Sequence, residues 1–211
     1  MSTEAKKTKR FTMATLCLVV MGLLVALSCV KPTPDPPPNG EGDYDTAFQK
    51  YYYAYNEKIY LDVVPDKFVI AYDKQYFSQI QQSLEENTQI KDIEFQIYNG
   101  CCVFTMENAK VKTLRVKFGK KEGILSVNPL YVINGSELII TDEIVVQFKE
   151  NISQQAINEI HKKYRVKLKK DRGIYQVFSV PIDFDPLEVA NAYQTSGLVN
   201  FSHPNFIREI G

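Results

Sequence analysis

One pattern of strand and helix signals is written twice in this chain, and that repeat limits the folds open to it. The first copy opens at Asp66-Lys67-Phe68-Val69-Ile70-Ala71-Tyr72 and the second at Asp142-Glu143-Ile144-Val145-Val146-Gln147-Phe148. Each opening is followed by a helical stretch, two short strands, a second amphipathic stretch and a last strand. The closing phrases also correspond: Gly123-Ile124-Leu125-Ser126-Val127-Asn128-Pro129 against Gly197-Leu198-Val199-Asn200-Phe201-Ser202-His203-Pro204. A repeat of this length predicts two small stacked modules.

The second copy carries the clearer signals. Ile144, Val146 and Phe148 alternate with Val145 and Gln147, which predicts a half-buried strand. Ser153 is placed to cap a helix whose apolar residues Ile157, Ile160 and Tyr164 fall on one face. Val166 and Leu168 mark a second strand, and Ile174 to Val180 a third. Asp185-Pro186-Leu187-Glu188 predicts a helix start, with the aspartate as cap, the proline in the first turn and Glu188 closing a capping box. Gly197 supplies a left-handed residue to end that helix, and Leu198 to Phe201 begins the last strand. The order is βαββαβ: an α+β module whose antiparallel sheet is covered by helices.

The first copy is more distant. Phe77, Ile80 and Leu84 form one helix face, Ile93, Phe95 and Ile97 alternate as a strand, and Asn99-Gly100 predicts a hairpin turn. Cys102 to Met106 mirrors the strand of Tyr175 to Val180. Val111, Leu114 and Phe118 suit a helix, while Leu114, Val116 and Phe118 equally suit a strand; the repeat decides for the helix. Ahead of this copy, Tyr51-Tyr52-Tyr53-Ala54-Tyr55 and Ile59-Tyr60-Leu61-Asp62-Val63 flank Asn56-Glu57-Lys58, which predicts a tyrosine-rich hairpin. The first expectation for it is cross-strand packing that covers the first module; the alternative is an aromatic platform for sugar or peptide. Cys101 and Cys102 point to opposite faces of a strand, so one is expected buried and one partly exposed, without a disulfide or a metal.

Asp142 to Lys149, Asp185 to Ala192, Ser196 to Val199 and Pro204 to Ile207 resemble, in that order, the prodomains of subtilases, and most closely the longer type found ahead of fervidolysin-like subtilases. The resemblance covers Asp142 to about Ile207. It implies a ferredoxin-like fold for the repeat, and a role in folding and then blocking a subtilase domain. It also implies that the sheet face packs on protease helices and that the tail beyond the last strand lies in the substrate cleft. On this chain that tail is His203, Pro204, Asn205, Phe206, Ile207, Arg208, Glu209, Ile210 and Gly211, with Phe206 and Ile210 as anchors.

The amino terminus reads as an address. Lys6, Lys7, Lys9 and Arg10 precede an uncharged, mostly apolar run from Phe11 to Leu27, and Ala26-Leu27-Ser28-Cys29 follows. This arrangement resembles a bacterial lipoprotein signal, with Cys29 as the lipidated residue. An ordinary signal peptide or an uncleaved anchor helix are the alternatives, although the run is slightly short of the about 20 residues of a comfortable span. Five prolines between Lys31 and Gly40 favour an extended spacer of about 3.1 Å per residue. The expected organisation is a signal at 1–28, a proline-rich tether at 29–45, the hairpin and first module at 46–134, and the second module at 135–211. The location expected is the bacterial cell envelope, as an outer-membrane lipoprotein of either face.

Lysine plus arginine and aspartate plus glutamate both number 25, so the net charge is zero, which argues against a nucleic-acid footprint. The basic stretch Lys162 to Lys170 alternates with apolar residues and reads as an edge strand guarded by charge. No phosphate loop, Cys-x-x-Cys pair or histidine cluster stands out, and no cofactor is expected. The chain has two histidines: His161 reads as a core-edge residue and His203 as structural or interfacial. The segments that would carry a subtilase triad are not recognised, and no catalytic domain is expected after Ile207. The leading expectation is a non-catalytic, membrane-tethered protein that binds a subtilisin-type serine protease. The alternatives are a surface binding or assembly lipoprotein that reuses the fold, and an orphaned amino-terminal piece of a protease.

Overall fold

The structure, a computed structural model, describes residues 49–96 and 99–208, and of Arg208 the backbone alone. The tyrosine-rich segment forms β1 (Lys50–Ala54) and returns as β2 (Glu57–Tyr72). The turn lies at Tyr55 and Asn56, with φ of 51° and 66°, so Glu57 and Lys58 belong to the returning strand. Two consecutive left-handed residues give a turn whose twist matches that of the strands it joins. The strands expected at Ile59–Val63 and Asp66–Tyr72 are one element. It bends at Asp66, whose φ is 57°, a conformation aspartate tolerates. The bend is held from outside: the Asp66 carboxylate accepts from the Asn108 N–H at 2.9 Å and the Asp66 carbonyl from the Met106 N–H at 2.9 Å.

Next come α1 (Phe77–Glu85), β3 (Lys91–Gln96), β4 (Cys101–Thr105), α2 (Val111–Phe118) and β5 (Ile124–Ile133). A turn at Asn134-Gly135 leads into β6 (Ser136–Phe148), followed by α3 (Gln154–Tyr164), β7 (Lys167–Asp171), β8 (Gln176–Ser179), α4 (Pro186–Thr195) and β9 (Val199–Arg208). The described residues thus hold four α-helices, a single 3-10 turn at Lys74–Tyr76 and one curled, antiparallel sheet of nine strands. Its order is β3-β4-β2-β5-β6-β8-β7, with β1 on β2 and β9 on β6. The ambiguous segment 111–118 is helical because Leu114 and Phe118 are buried while Val116 is 62% exposed, which a strand with all three on one face does not allow. Ser153 caps α3 by accepting the Ala156 N–H at 3.2 Å, and β7 is exposed throughout, as a charged edge strand should be.

Side-chain alternation sorts the apolar residues into separate cores. Phe68, Ile70 and Tyr72 of β2 meet Ile80 and Leu84 of α1 and Leu114 and Phe118 of α2. Ile144 and Val146 of β6 and Phe178 of β8 meet Val189, Ala190 and Tyr193 of α4, with Ile160 and Tyr164 of α3 at the rim. Between these helix-covered cores the sheet curls around a third, built from Leu61, Tyr131, Leu138 and Ile140 with Leu187 of α4 inserted. A fourth lies on the other face of the first half: Val69, Cys101, Val103, Leu130 and Ile139. It explains a departure from expectation. Cys101 and Cys102 are both fully buried, because Cys102 points to the helix-side core and Cys101 to this second one. Neither is in a disulfide, and burial pushes the Cys102 thiol up to about 12, which removes its nucleophilic form at neutral pH.

The hairpin departs from expectation as well. Beyond the bend at Asp66, Asp62 and Val63 pair with the far end of β5. That carries the hairpin out of the first half and onto α4 and β9. Asn191 Nδ2 donates to the Tyr51 carbonyl at 2.8 Å, and Gln194 Nε2 to Asn56 Oδ1 at 2.8 Å. The Tyr52 ring meets Phe206 edge-on at 4.8 Å.

A buried polar cluster joins the two halves. Asp185 caps α4 by accepting the Leu187 N–H at 2.9 Å. Its other oxygen lies 3.4 Å from Arg115 of α2 and 3.8 Å from Lys50 of β1. Arg115 Nε donates to the Val127 carbonyl and Nη2 to Asn128 Oδ1, both at 2.8 Å, and Asn128 Nδ2 reaches the Ile140 carbonyl at 3.0 Å. Glu188, expected to close a capping box, pairs with Lys50 at 3.0 Å. Burial works against the Asp185 charge, yet Arg115 and Lys50 together hold its carboxyl below the usual range.

Candidate functional site

In the second half, β8 and β9 flank β6 in register. Val145 faces Val177 and His203, and Gln147 faces Phe201. These residues alternate with Ile144, Val146, Phe178 and Ser202, which point toward α3 and α4. Val145, Gln147, Val177, Phe201 and His203 therefore share the opposite face of the sheet. All four described helices pack elsewhere, and Val145, Gln147, Phe201 and His203 are half-buried. At the edge of the same sheet Leu168 is 55% exposed, and at the β7–β8 turn Ile174 is 74% exposed.

His203 is built into an aromatic stack. Its ring lies 5.7 Å from that of Phe201 and 6.1 Å from that of Phe206, with interplanar angles of 18° and 5°. Its Nδ1 lies 2.8 Å from the Pro204 carbonyl. A carbonyl only accepts, so Nδ1 is the donor in this contact.

The expected tail is placed only in part as a free peptide requires. Pro204 lies opposite Ile144, whereas Phe206, Ile207 and Arg208 lie opposite Ile140, Ile139 and Leu138. Phe206 packs on the central core beside Tyr52, and Ile207 on the core of Val69 and Cys101. In this structure Phe206 does not stand free: it packs on the central core under Tyr52. The reason is the length of β6: its 13 residues extend past the second half, and the end of β9 covers the edge so created. Glu209, Ile210 and Gly211 lie outside the described residues, as do Cys29 and the proline-rich tether.

Between the two paired blocks, Thr141, Asp142 and Glu143 stand against Asn205 alone. A polar network holds this bulge. Thr141 Oγ1 donates to the Asn205 carbonyl at 3.1 Å, and Asn205 Nδ2 donates to Glu143 Oε2 at 2.8 Å. Lys169 of β7 lies 2.8 Å from Glu143 and 3.4 Å from Asp142. Burial pushes the Asp142 carboxyl up against the pull of Lys169. For Glu143, burial acts upward too, but Lys169 and Asn205 outweigh it and hold the carboxyl down. The alternation of residues 144–148 predicted the exposed face; nothing local in the sequence tied Lys169 or Asn205 to Glu143.

His161 lies where the helix pattern put it, at the edge of the core. Its ring is 4.7 Å from Phe178 and 6.1 Å from Tyr193, and its buried Nε2 has no hydrogen-bond partner. Burial lowers its pKa. The unfolded chain then takes up the proton more readily than the folded one, so stability is full above about pH 6.5 and declines as pH falls below it. The urea midpoint is expected to drop between about pH 7.5 and about pH 5. His161→Phe should abolish that part of the slope; an unchanged slope in the variant removes the assignment.

Among the described residues no three histidine, cysteine, aspartate or glutamate side chains group as a metal site would need. Residues 133–205 match the family model of the fervidolysin N-terminal prodomain, the family the sequence resembles. The match spans β6 to β9 and ends at the Asn205 bulge. A search of curated proteins gave no match.

Proposed function

We propose that this chain is a non-catalytic binding protein that docks a subtilisin-type serine protease, inhibiting it or assisting its folding. The observation that carries the reading is a coincidence of boundaries. The prodomain match covers residues 133–205, and those residues build the sheet whose helix-free face is half-exposed. On this reading both halves are tandem ferredoxin-like modules. Each half runs βαββαβ, and each orders its strands second, third, first, fourth: β3-β4-β2-β5 and β7-β8-β6-β9. The face of Val145, Gln147, Phe201 and His203 is the docking surface. Residues after Arg208 reach the cleft first, where main-chain pairing supplies affinity and side-chain pockets supply selectivity. Cys29 tethers the protein to a bacterial envelope membrane through the proline-rich spacer; this part rests on the sequence alone.

A second reading, a surface binding or assembly lipoprotein, draws on the hairpin. The rings of Tyr51, Tyr53 and Tyr60 cluster with centroids 5.5 and 6.1 Å apart, and Lys58 Nζ lies 4.2 Å from the Tyr51 ring. Fold alone does not choose between these classes. Titration of the full chain against a panel of subtilases does. Inhibition at micromolar concentration, or faster refolding of the protease, is the expected result. Neither effect with any member of the panel would overturn the protease reading.

A further inference from the structure

We propose that the β1–β2 hairpin is a clasp that withholds the end of β9, and that the cleft-entering segment is released by opening at Asn205. This rests on the protease-binding reading and concerns how that site is regulated. Strand β9 is two blocks. Residues 199–204 pair with 144–148, and residues 206–208 pair with 138–140. The bulge between them sets three residues of β6 against Asn205, and Pro204 beside it has no N–H to give to the ladder. The ladder is interrupted there, and the side-chain network that holds Asn205 to Thr141 and Glu143 stops short of Phe206, so the terminal block can detach alone.

The hairpin supplies what the ladder does not. Strand β1 pairs with β2, and β9 with β6, so the clasp meets the end of β9 through side chains. Its base is fixed to α4 by Lys50–Glu188 at 3.0 Å and by Asn191 to the Tyr51 carbonyl at 2.8 Å. From that base Tyr52 reaches Phe206 at 4.8 Å. Phe206 and Ile207 cannot fill protease pockets while they pack on the protein's own cores. The structure holds the segment in its withheld state. The apparent affinity of a segment competent only when open is reduced by the fraction open.

Hydrogen exchange on the full chain tests this, comparing amides 206–208 with amides 199–203. Tyr52→Ala should speed exchange at 206–208 by about tenfold and leave 199–203 unchanged, while Tyr52→Phe, which keeps the ring, should match the parent. Asn191→Ala loosens the base of the clasp from outside the core and should act in the same direction, which keeps the test valid if Tyr52→Ala folds poorly. Unchanged exchange at 206–208 in both Tyr52→Ala and Asn191→Ala, or equal acceleration along all of β9, overturns the clasp. Against a subtilase that the parent inhibits, Tyr52→Ala should inhibit about tenfold more tightly; equal potency overturns the regulatory role. Absence of inhibition by parent and variant alike overturns the protease reading instead, and hydrogen exchange then decides by itself whether the clasp exists.

Discussion

Arg115→Ala will lower the urea unfolding midpoint more than any single surface change, at a cost of about 3–5 kcal/mol. Asp185 is 9% exposed and stays ionised because Arg115 and Lys50 stand beside it. Removing Arg115 leaves a buried carboxylate with one distant cation and strips Val127 and Asn128 of their donor. The expense lies in stranding charge in a medium that solvates it poorly. Arg115→Lys keeps the charge but not the planar fork and should lie between the parent and Arg115→Ala. The pH dependence follows from the same contact. The folded pKa of Asp185 is depressed, so its stabilisation is complete above the unfolded value of about 3.9 and is lost as pH falls through the folded one. Asp185→Asn should flatten acid unfolding in that window. Equal midpoints for the parent and Arg115→Ala would mean that the cluster does not join the halves.

Phe201→Asp will weaken inhibition of a responsive subtilase by about 2–4 kcal/mol, the range of a central interface residue, while moving the urea midpoint little. Phe201 lies on the half-exposed face, where a carboxylate keeps its water in the free protein and loses it on docking. Val145→Asp should behave alike. Val146→Asp, one residue along the same strand but fully buried, should unfold the protein. Parental inhibition by Phe201→Asp, measured as an inhibition constant beside a circular-dichroism melt, would remove this face from the binding reading.

The face of Phe201 is written locally in the sequence, whereas the partners of Asp185 are not. The face of Phe201 follows from alternation: Ile144 and Val146 inward puts Val145 and Gln147 outward, and register carries this to β9. The helix start at Asp185-Pro186 was equally visible, since a cap and a first-turn proline act within four residues. Its partners were not. Arg115 reads as one charge on an amphipathic helix, and Lys50 as one charge before a run of tyrosines. Only the curl of the sheet brings both to Asp185.

Most helix and strand types, the cap at Asp185 and the inward or outward sense of β6 were determined by the sequence itself. They arise from backbone sterics and from periodicities of 2 and 3.6 residues that operate over a few positions. Tertiary structure alone decided what lies against what. It sent the hairpin to α4 instead of the first half, gave Cys101 a second core to enter, and engaged Phe206 beneath Tyr52. A hydrophobic pattern states that a face is to be covered; the covering element is chosen by non-directional burial among all faces in reach, and that competition has no local trace.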